Sequence, residues 1–160
     1  MEVEKLGLHS ARCVSDDKED STYLLPIGSC LRKWKIEKNE KMKIVDTIQT
    51  DGDLVMMVVQ NDLFYATASY SGVVTIFPKE NKFEKKFSFK TKGIKLRYIS
   101  LYENYVACLT ELTDEDQPLV AIYKVDIKGH EPENLIPIFE KYGNYSLAVL
   151  IDEKKLFVID

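Results

Sequence analysis

The sequence predicts an all-β chain made of a recurring four-stranded antiparallel unit. Three observations carry that expectation. Short runs rich in Val, Ile, Tyr, Phe and Leu alternate with turns along nearly the whole chain. Such residues favour the pleated, half-buried surface of a strand. No stretch sustains the 3.6-residue periodicity of an amphipathic helix. Matching features recur at about 40–45 residues, the length of one four-stranded sheet in a β-propeller.

The elements follow in order. Residues 1–21 form a polar N-terminal arm, and "SDDKEDS" (15–21) reads as a loop. "TYLLPIG" (22–28) and "CLRKWKI" (30–36) are the first pair of strands, and "MKIVDTI" (42–48) follows a charged turn. "LVMMVVQ" (54–60), "LFYATAS" (63–69) and "VVTIF" (73–77) come next. In "KFEKKFSF" (82–89), Phe83, Phe87 and Phe89 alternate with lysines, as in a half-exposed outer strand. "IKLRYISL" (94–101), "YVACLTEL" (105–112), "LVAIYKV" (119–125) and "NLIPIFEK" (134–141) make another set of four. Pro137 suits an outer strand, where its missing N–H breaks no ladder. "YSLAVLI" (145–151) and "KLFVID" (155–160) close the chain.

Superposing the runs exposes the repeat. Trp34, Phe77 and Tyr123 lie 43 and 46 residues apart near the ends of comparable runs. Leu25, Ala66 and Ala107 are spaced by 41, and Leu54 and Leu96 by 42. "FYATASYSGVVTIF" (64–77) is therefore the second and third strands of one unit. The expected blades are 22–50, 53–90 and 94–140, with a half blade at 145–160. A ring needs about 4–8 blades. The expectation is thus a partial β-propeller of about three to four blades, completed by a partner or by further chain, because bare strand edges invite association.

"SYSGVVTIF" (69–77), and more loosely "GSCLRKWKI" (28–36) and "DQPLVAIYKV" (116–125), resemble the WD-repeat family. The resemblance spans residues 22–160. It implies a rigid, non-catalytic propeller that holds other proteins. The chain departs from the family pattern: the Gly-His pair is absent, and Lys35, Pro78 and Lys124 stand where an Asp would follow the terminal aromatic. The His–Asp hydrogen-bond network of the family therefore has no counterpart at these positions. "YVACLTELTDEDQPLVAIYKVD" (105–126) is also similar to the WD-repeat non-catalytic subunit of tRNA guanine-N7 methyltransferases. That likeness implies bracing of a methyltransferase and positioning of tRNA. The competing architecture is an up-and-down β-barrel carrying a small ligand. It lacks the Gly-x-Trp mark of lipocalins, because Arg32 and Lys33 precede Trp34.

Composition narrows the function classes. The chain has 160 residues, is 45% hydrophobic and 30% charged, and suits one folded domain. A net charge of −4 disfavours global nucleic-acid binding and leaves room for a local basic face. Cys13, Cys30 and Cys108 are widely spaced, with only His9 and His130 to join them. They read as free thiols in a reducing compartment, with neither metal nor disulfide framework. No apolar run reaches the roughly 20 residues of a membrane helix. The charged start does not resemble a signal peptide. The expected setting is cytoplasmic or nuclear, without a membrane.

No catalytic constellation emerges, and no cofactor is expected. Glu111, Asp114, Glu115 and Asp116 read as a solvated turn. Ser69 and Ser71 lack a nucleophile elbow, and Gly52, Gly72, Gly93, Gly129 and Gly143 read as turn glycines. The candidate contact residues are basic: Lys79, Lys82, Lys85, Lys86, Lys90, Lys92, Lys95 and Arg97, offset nearby only by Glu80 and Glu84. They read first as a solvated outer face that blunts a strand edge. The sharper reading is a contact for nucleic acid or a protein partner. The expected function is a non-catalytic scaffold within a larger complex.

Overall fold

The computed structural model describes residues 14–17, 21–84, 86–111, 117–127, 135–152 and 155–159. Its strands fall into four antiparallel meanders stacked face to face. Blade one contains β1 (Val14–Asp17), β2 (Thr22–Ile27), β3 (Cys30–Ile36) and β4 (Met42–Gln49), paired in that order. Blade two contains β5 (Val55–Gln60), β6 (Phe64–Ser69), β7 (Val73–Pro78) and β8 (Phe87–Lys90). Blade three contains β9 (Lys95–Tyr102), β10 (Tyr105–Glu111), β11 (Leu119–Lys124) and β12 (Phe139–Tyr142). β13 (Leu147–Asp152) and β14 (Lys155–Ile159) form a two-stranded sheet.

This is the predicted partial propeller, and it rules out the single β-barrel. A barrel would close all strands into one continuous ladder. Here each blade is a separate sheet, and the space between sheets is filled by side chains.

Burial explains the stacking. β6, "FYATAS", is buried at every position. Successive side chains of a strand point to opposite faces, so β6 belongs to two interfaces. Tyr65 joins Leu24, Leu31, Ile48, Val55, Val58 and Phe77 in the core between blades one and two. Phe64, Ala66 and Ala68 join Ile99, Val106, Cys108 and Tyr123 in the core between blades two and three. The alanines let the second sheet approach closely. Leu109 and Val120 continue the stack onto Tyr145 and Ala148.

Five sequence expectations need correction. "NLIPIFEK" (134–141) enters the sheet only from Phe139, so Pro137 lies in the connection before β12 and not on an outer strand. The stretch read as a polar loop contributes strand β1 to blade one. Leu54 does not match Leu96: Val55 pairs with Ser69 as Leu96 pairs with Thr110, and Leu54 is left exposed. In blade one the partner of Arg32 is Leu25, whereas Leu24 occupies the buried position. Residues 82–89 do not form one alternating strand. A 3-10 turn, Lys79–Asn81, is followed by left-handed Lys82 (φ 45°) and Phe83 (φ 70°) before β8 begins. This twist turns Phe83 inward, where it stacks on Tyr65 at 5.0 Å and meets Phe77 edge-on at 5.6 Å. Buried aromatic pairs contribute about 0.5–1.5 kcal/mol beyond their area, so the ring favours this packing over the extended outer strand.

Phe77 sits at the junction of blades one and two and is fully buried. Phe77→Ala should destabilise the fold by about 3–5 kcal/mol, as large core truncations do. Phe83→Ala, nearer the rim, should cost less. Equilibrium urea unfolding of both variants checks the order; equal losses would contradict the described junction.

Candidate interaction surfaces

Four of the eight candidate basic residues are held in ion pairs. Lys86 Nζ lies 2.5 Å from Asp51 Oδ1 and donates to the Gln49 carbonyl at 3.2 Å. Lys92 pairs with Glu140 at 2.6 Å. Lys95 reaches Glu111 at 3.3 Å and lies 5.2 Å from the Tyr70 ring centre. Arg97 pairs with the other oxygen of Glu111. Lys79 sits 4.8 Å over the Tyr65 ring. Lys82 and Lys90 are exposed, while Lys85 lies outside the described residues.

Local sequence could not show this neutralisation. Glu80 and Glu84 are the only acids near the run, yet Asp51, Glu111 and Glu140 arrive from other strands. Glu111 is accordingly a partner of Lys95 and Arg97 rather than part of a free acidic turn. Asp114, Glu115 and Asp116, together with His9, His130 and Cys13, lie outside the described residues.

Asp51 anchors a short polar chain. Ser88 Oγ donates to Asp51 Oδ2 at 2.6 Å, and the Asp51 N–H donates to Thr75 Oγ1 at 3.3 Å. Burial pushes the Asp51 carboxyl up, but Lys86 and the Ser88 hydroxyl outweigh it and hold it below its ordinary value. Asp53 behaves alike: burial raises it, while the backbone N–H and hydroxyl of Ser71 and the Ser69 hydroxyl lower it further. Ser69 Oγ also accepts from the Val73 N–H at 3.0 Å. These serines therefore brace a turn. Gly52 is required beside them, since a Cβ there would stand 2.3 Å from the Ser69 Cβ.

Other reactive groups are sequestered. Cys108 is fully buried, and desolvation drives its thiol well above the ordinary range. Tyr123 is pushed up to about 12 by burial, against the Lys92 N–H that donates to its hydroxyl at 3.0 Å. Glu140 beside exposed Lys92 raises that ammonium, chiefly by hydrogen bonding.

The opposite end of the blades holds a cleft that sequence reasoning missed. It is a cavity of about 870 Å³ lined by the β5–β6 turn, the β7–β8 connection, the β9–β10 turn and the chain after β11. Leu63, Tyr102, Val125 and Ile127 supply apolar surface; Asp62, Glu80, Glu103 and Asp126 supply carboxylates. Equivalent bonds close it in each blade: the Lys79 N–H donates to the Leu63 carbonyl at 3.0 Å, and the Val125 N–H to the Asn104 carbonyl at 2.7 Å. Asn61 Nδ2 crosses between blades to the Glu103 carbonyl at 2.6 Å. The signal was diffuse because its carboxylates come from four separate turns.

Comparison with solved structures gives the same fold. Hydrazine synthase of Kuenenia stuttgartiensis matches 87% of this chain and 38% of its own, at TM-score 0.62 and 11% identity. Sqt1 of Saccharomyces cerevisiae matches 87% of this chain and 37% of its own, at TM-score 0.59 and 13% identity. The computationally designed Ika4 protein matches 78% and 74% respectively, at TM-score 0.51 and 12% identity. The chain thus shares the fold of these proteins, a stack of antiparallel β-sheets of the propeller kind, and spans under two fifths of the first two. No protein family profile matches the chain. No curated protein matches it either.

Asp51 also yields a pH test. Its folded pKa is depressed, so its contribution is present above the unfolded value near 3.9 and lost as pH falls through the folded value. Both partners are partly exposed, so Asp51→Asn should cost only about 0.5 kcal/mol at pH 7. The difference should vanish near pH 2 in denaturant titrations. An equal cost at both pH values would deny the ion pair its role.

Proposed function

We propose that the chain is a non-catalytic protein-interaction module that works within a larger propeller assembly. One observation carries this reading. Strand pairing sets Trp34 opposite Tyr23, Phe77 opposite Tyr65, and Tyr123 opposite Val106. Phe77 and Tyr123 each pack toward the preceding blade. Trp34 holds the equivalent position on blade one, on the face away from blade two. Its indole nitrogen is buried with no hydrogen-bond partner. Tyr23, Leu25 and Ile27 are half-buried on the same strand face. Blade one therefore offers a blade-packing surface, and the fitting occupant is a neighbouring blade from another polypeptide segment.

The exposed apolar residues on β4, Met42, Ile44 and Val45, extend this surface toward the outer edge. A rigid stack of blades with variable end loops suits partner binding, because loops can change without disturbing the cores. The narrower reading, a support subunit for a tRNA guanine-N7 methyltransferase, draws little from the basic residues. Ion pairs already occupy Lys86, Lys92, Lys95 and Arg97.

Trp34 is the only tryptophan, so its fluorescence reports on this face directly. Association should shift its emission to shorter wavelength and protect it from acrylamide quenching. Trp34→Glu should abolish association while leaving urea unfolding of blades two and three nearly unchanged. Association that leaves the emission and quenching of Trp34 unaltered would place the partner elsewhere.

A further inference from the structure

The cleft between blades two and three is lined by carboxylates. Asp62, Glu80 and Glu103 are exposed and enter no ion pair among the described residues. Asp126 adds a fourth carboxylate to the lining. Among the described lining residues Lys79 is the single cation, and its ammonium is turned onto the Tyr65 ring. Between the acids lies apolar surface: Leu63 is 45% exposed, although it sits between a polar turn and a buried strand.

The rim is also set in advance. Asn61 Oδ1 accepts from the Leu63 and Phe64 N–H groups at 2.9 and 3.0 Å, while its Nδ2 reaches blade three. The turns that carry the carboxylates are thereby tied to each other and to both blades. Binding would spend little free energy on ordering this side of the contact. A volume of about 870 Å³ lies within the range of ligand clefts.

We propose that this cleft seats a basic peptide segment of a protein partner, with an apolar side chain placed against Leu63 and Tyr102 and flanking Arg or Lys side chains on the carboxylates. The inference rests on the reading of the chain as an interaction module and names the partner chemistry of one surface. Complementary charge selects the occupant: phosphates and acidic peptides meet repulsion from the carboxylates. The exposed leucine selects further, since a purely ionic ligand would leave it wet. Arg is favoured over Lys because its planar fork can engage a carboxylate through two parallel hydrogen bonds.

The test is fluorescence anisotropy on the full chain with a fluorescein-labelled twelve-residue peptide of alternating Arg and Leu. Comparators carry Glu for Arg, or Ser for Leu. The Arg–Leu peptide should bind saturably at one site, at least about tenfold more tightly than either comparator. Asp62→Asn combined with Glu80→Gln should weaken it by about tenfold or more, and Leu63→Ser by a similar factor. A tenfold change corresponds to 1.4 kcal/mol. All three positions are exposed, so the variants should keep their thermal midpoints. Backbone amide shifts of the unmutated protein give a second readout: Leu63, Tyr102 and Asn104 should move first. Equal binding of the Glu peptide, equal binding of the Ser peptide, or undiminished binding by the folded variants would overturn the proposal. Partner capture that persists in those variants and disappears in Trp34→Glu would also overturn it, while leaving the module reading intact.

Discussion

The structure depends on face-to-face burial of thin sheets. A four-stranded meander has two faces, and a single sheet cannot hide both. β6 makes the constraint plain, because all six of its side chains are buried. Their odd and even members belong to different cores. Removing either neighbouring blade would expose one complete set to water. At about 25 cal/mol per Å² of apolar surface, a single bare interface forfeits several kcal/mol, comparable with the whole stability of a small domain. The stack is therefore cooperative along its length.

Polar groups fit into this scheme as local braces. Short hydroxyl contacts occupy the rims. Thr91 Oγ1 donates to the Gly72 carbonyl at 2.9 Å, and Thr110 Oγ1 to the Lys92 carbonyl at 2.8 Å. Threonine fits because its methyl can face the core while its hydroxyl reaches a backbone carbonyl. Gly93 lets the adjoining connection pass at φ +104°, where a side chain would meet the Glu111 carbonyl at 2.8 Å. Blade geometry is thus kept by backbone-directed bonds spread over several turns, and no single side-chain network governs it.

Most of the strands were legible in the sequence because alternation and β-branched content act locally. The repeat was legible too: Trp34, Phe77 and Tyr123 occupy equivalent rungs. One-residue offsets were not. Bulges at Leu109/Thr110 and at Val55/Met57 shift register without changing composition, so Leu54 looked equivalent to Leu96. Phe83 was misread because nothing in "KFEKKF" signals two successive left-handed residues. The candidate site was legible least. A basic run in sequence says nothing about acids from other strands, and the carboxylates of the cleft are separated by up to 64 positions, from Asp62 to Asp126.

That separation bears on how such a module can acquire binding specificity. The first and third connections of each blade emerge at one end, and the second and the inter-blade connections at the other. Residues far apart in sequence therefore meet in fixed alternation around each rim. At the cleft, two equivalent backbone bonds hold the turns of blades two and three in the same pose, so the side chains they carry are free to differ. At the other end, charge is spent internally: Lys92 with Glu140 ties the connection before β9 to β12, and Lys95 and Arg97 with Glu111 clamp β9 to β10. Lys92, Lys95 and Arg97 are paired on one rim, while Asp62, Glu80 and Glu103 enter no ion pair among the described residues on the other, although the same repeat builds both. An acidic rim with an exposed leucine would suit a cation that also carries an apolar group. Selectivity thus resides in which charges the fold leaves unmatched, a property of the stacked blades that no single repeat possesses.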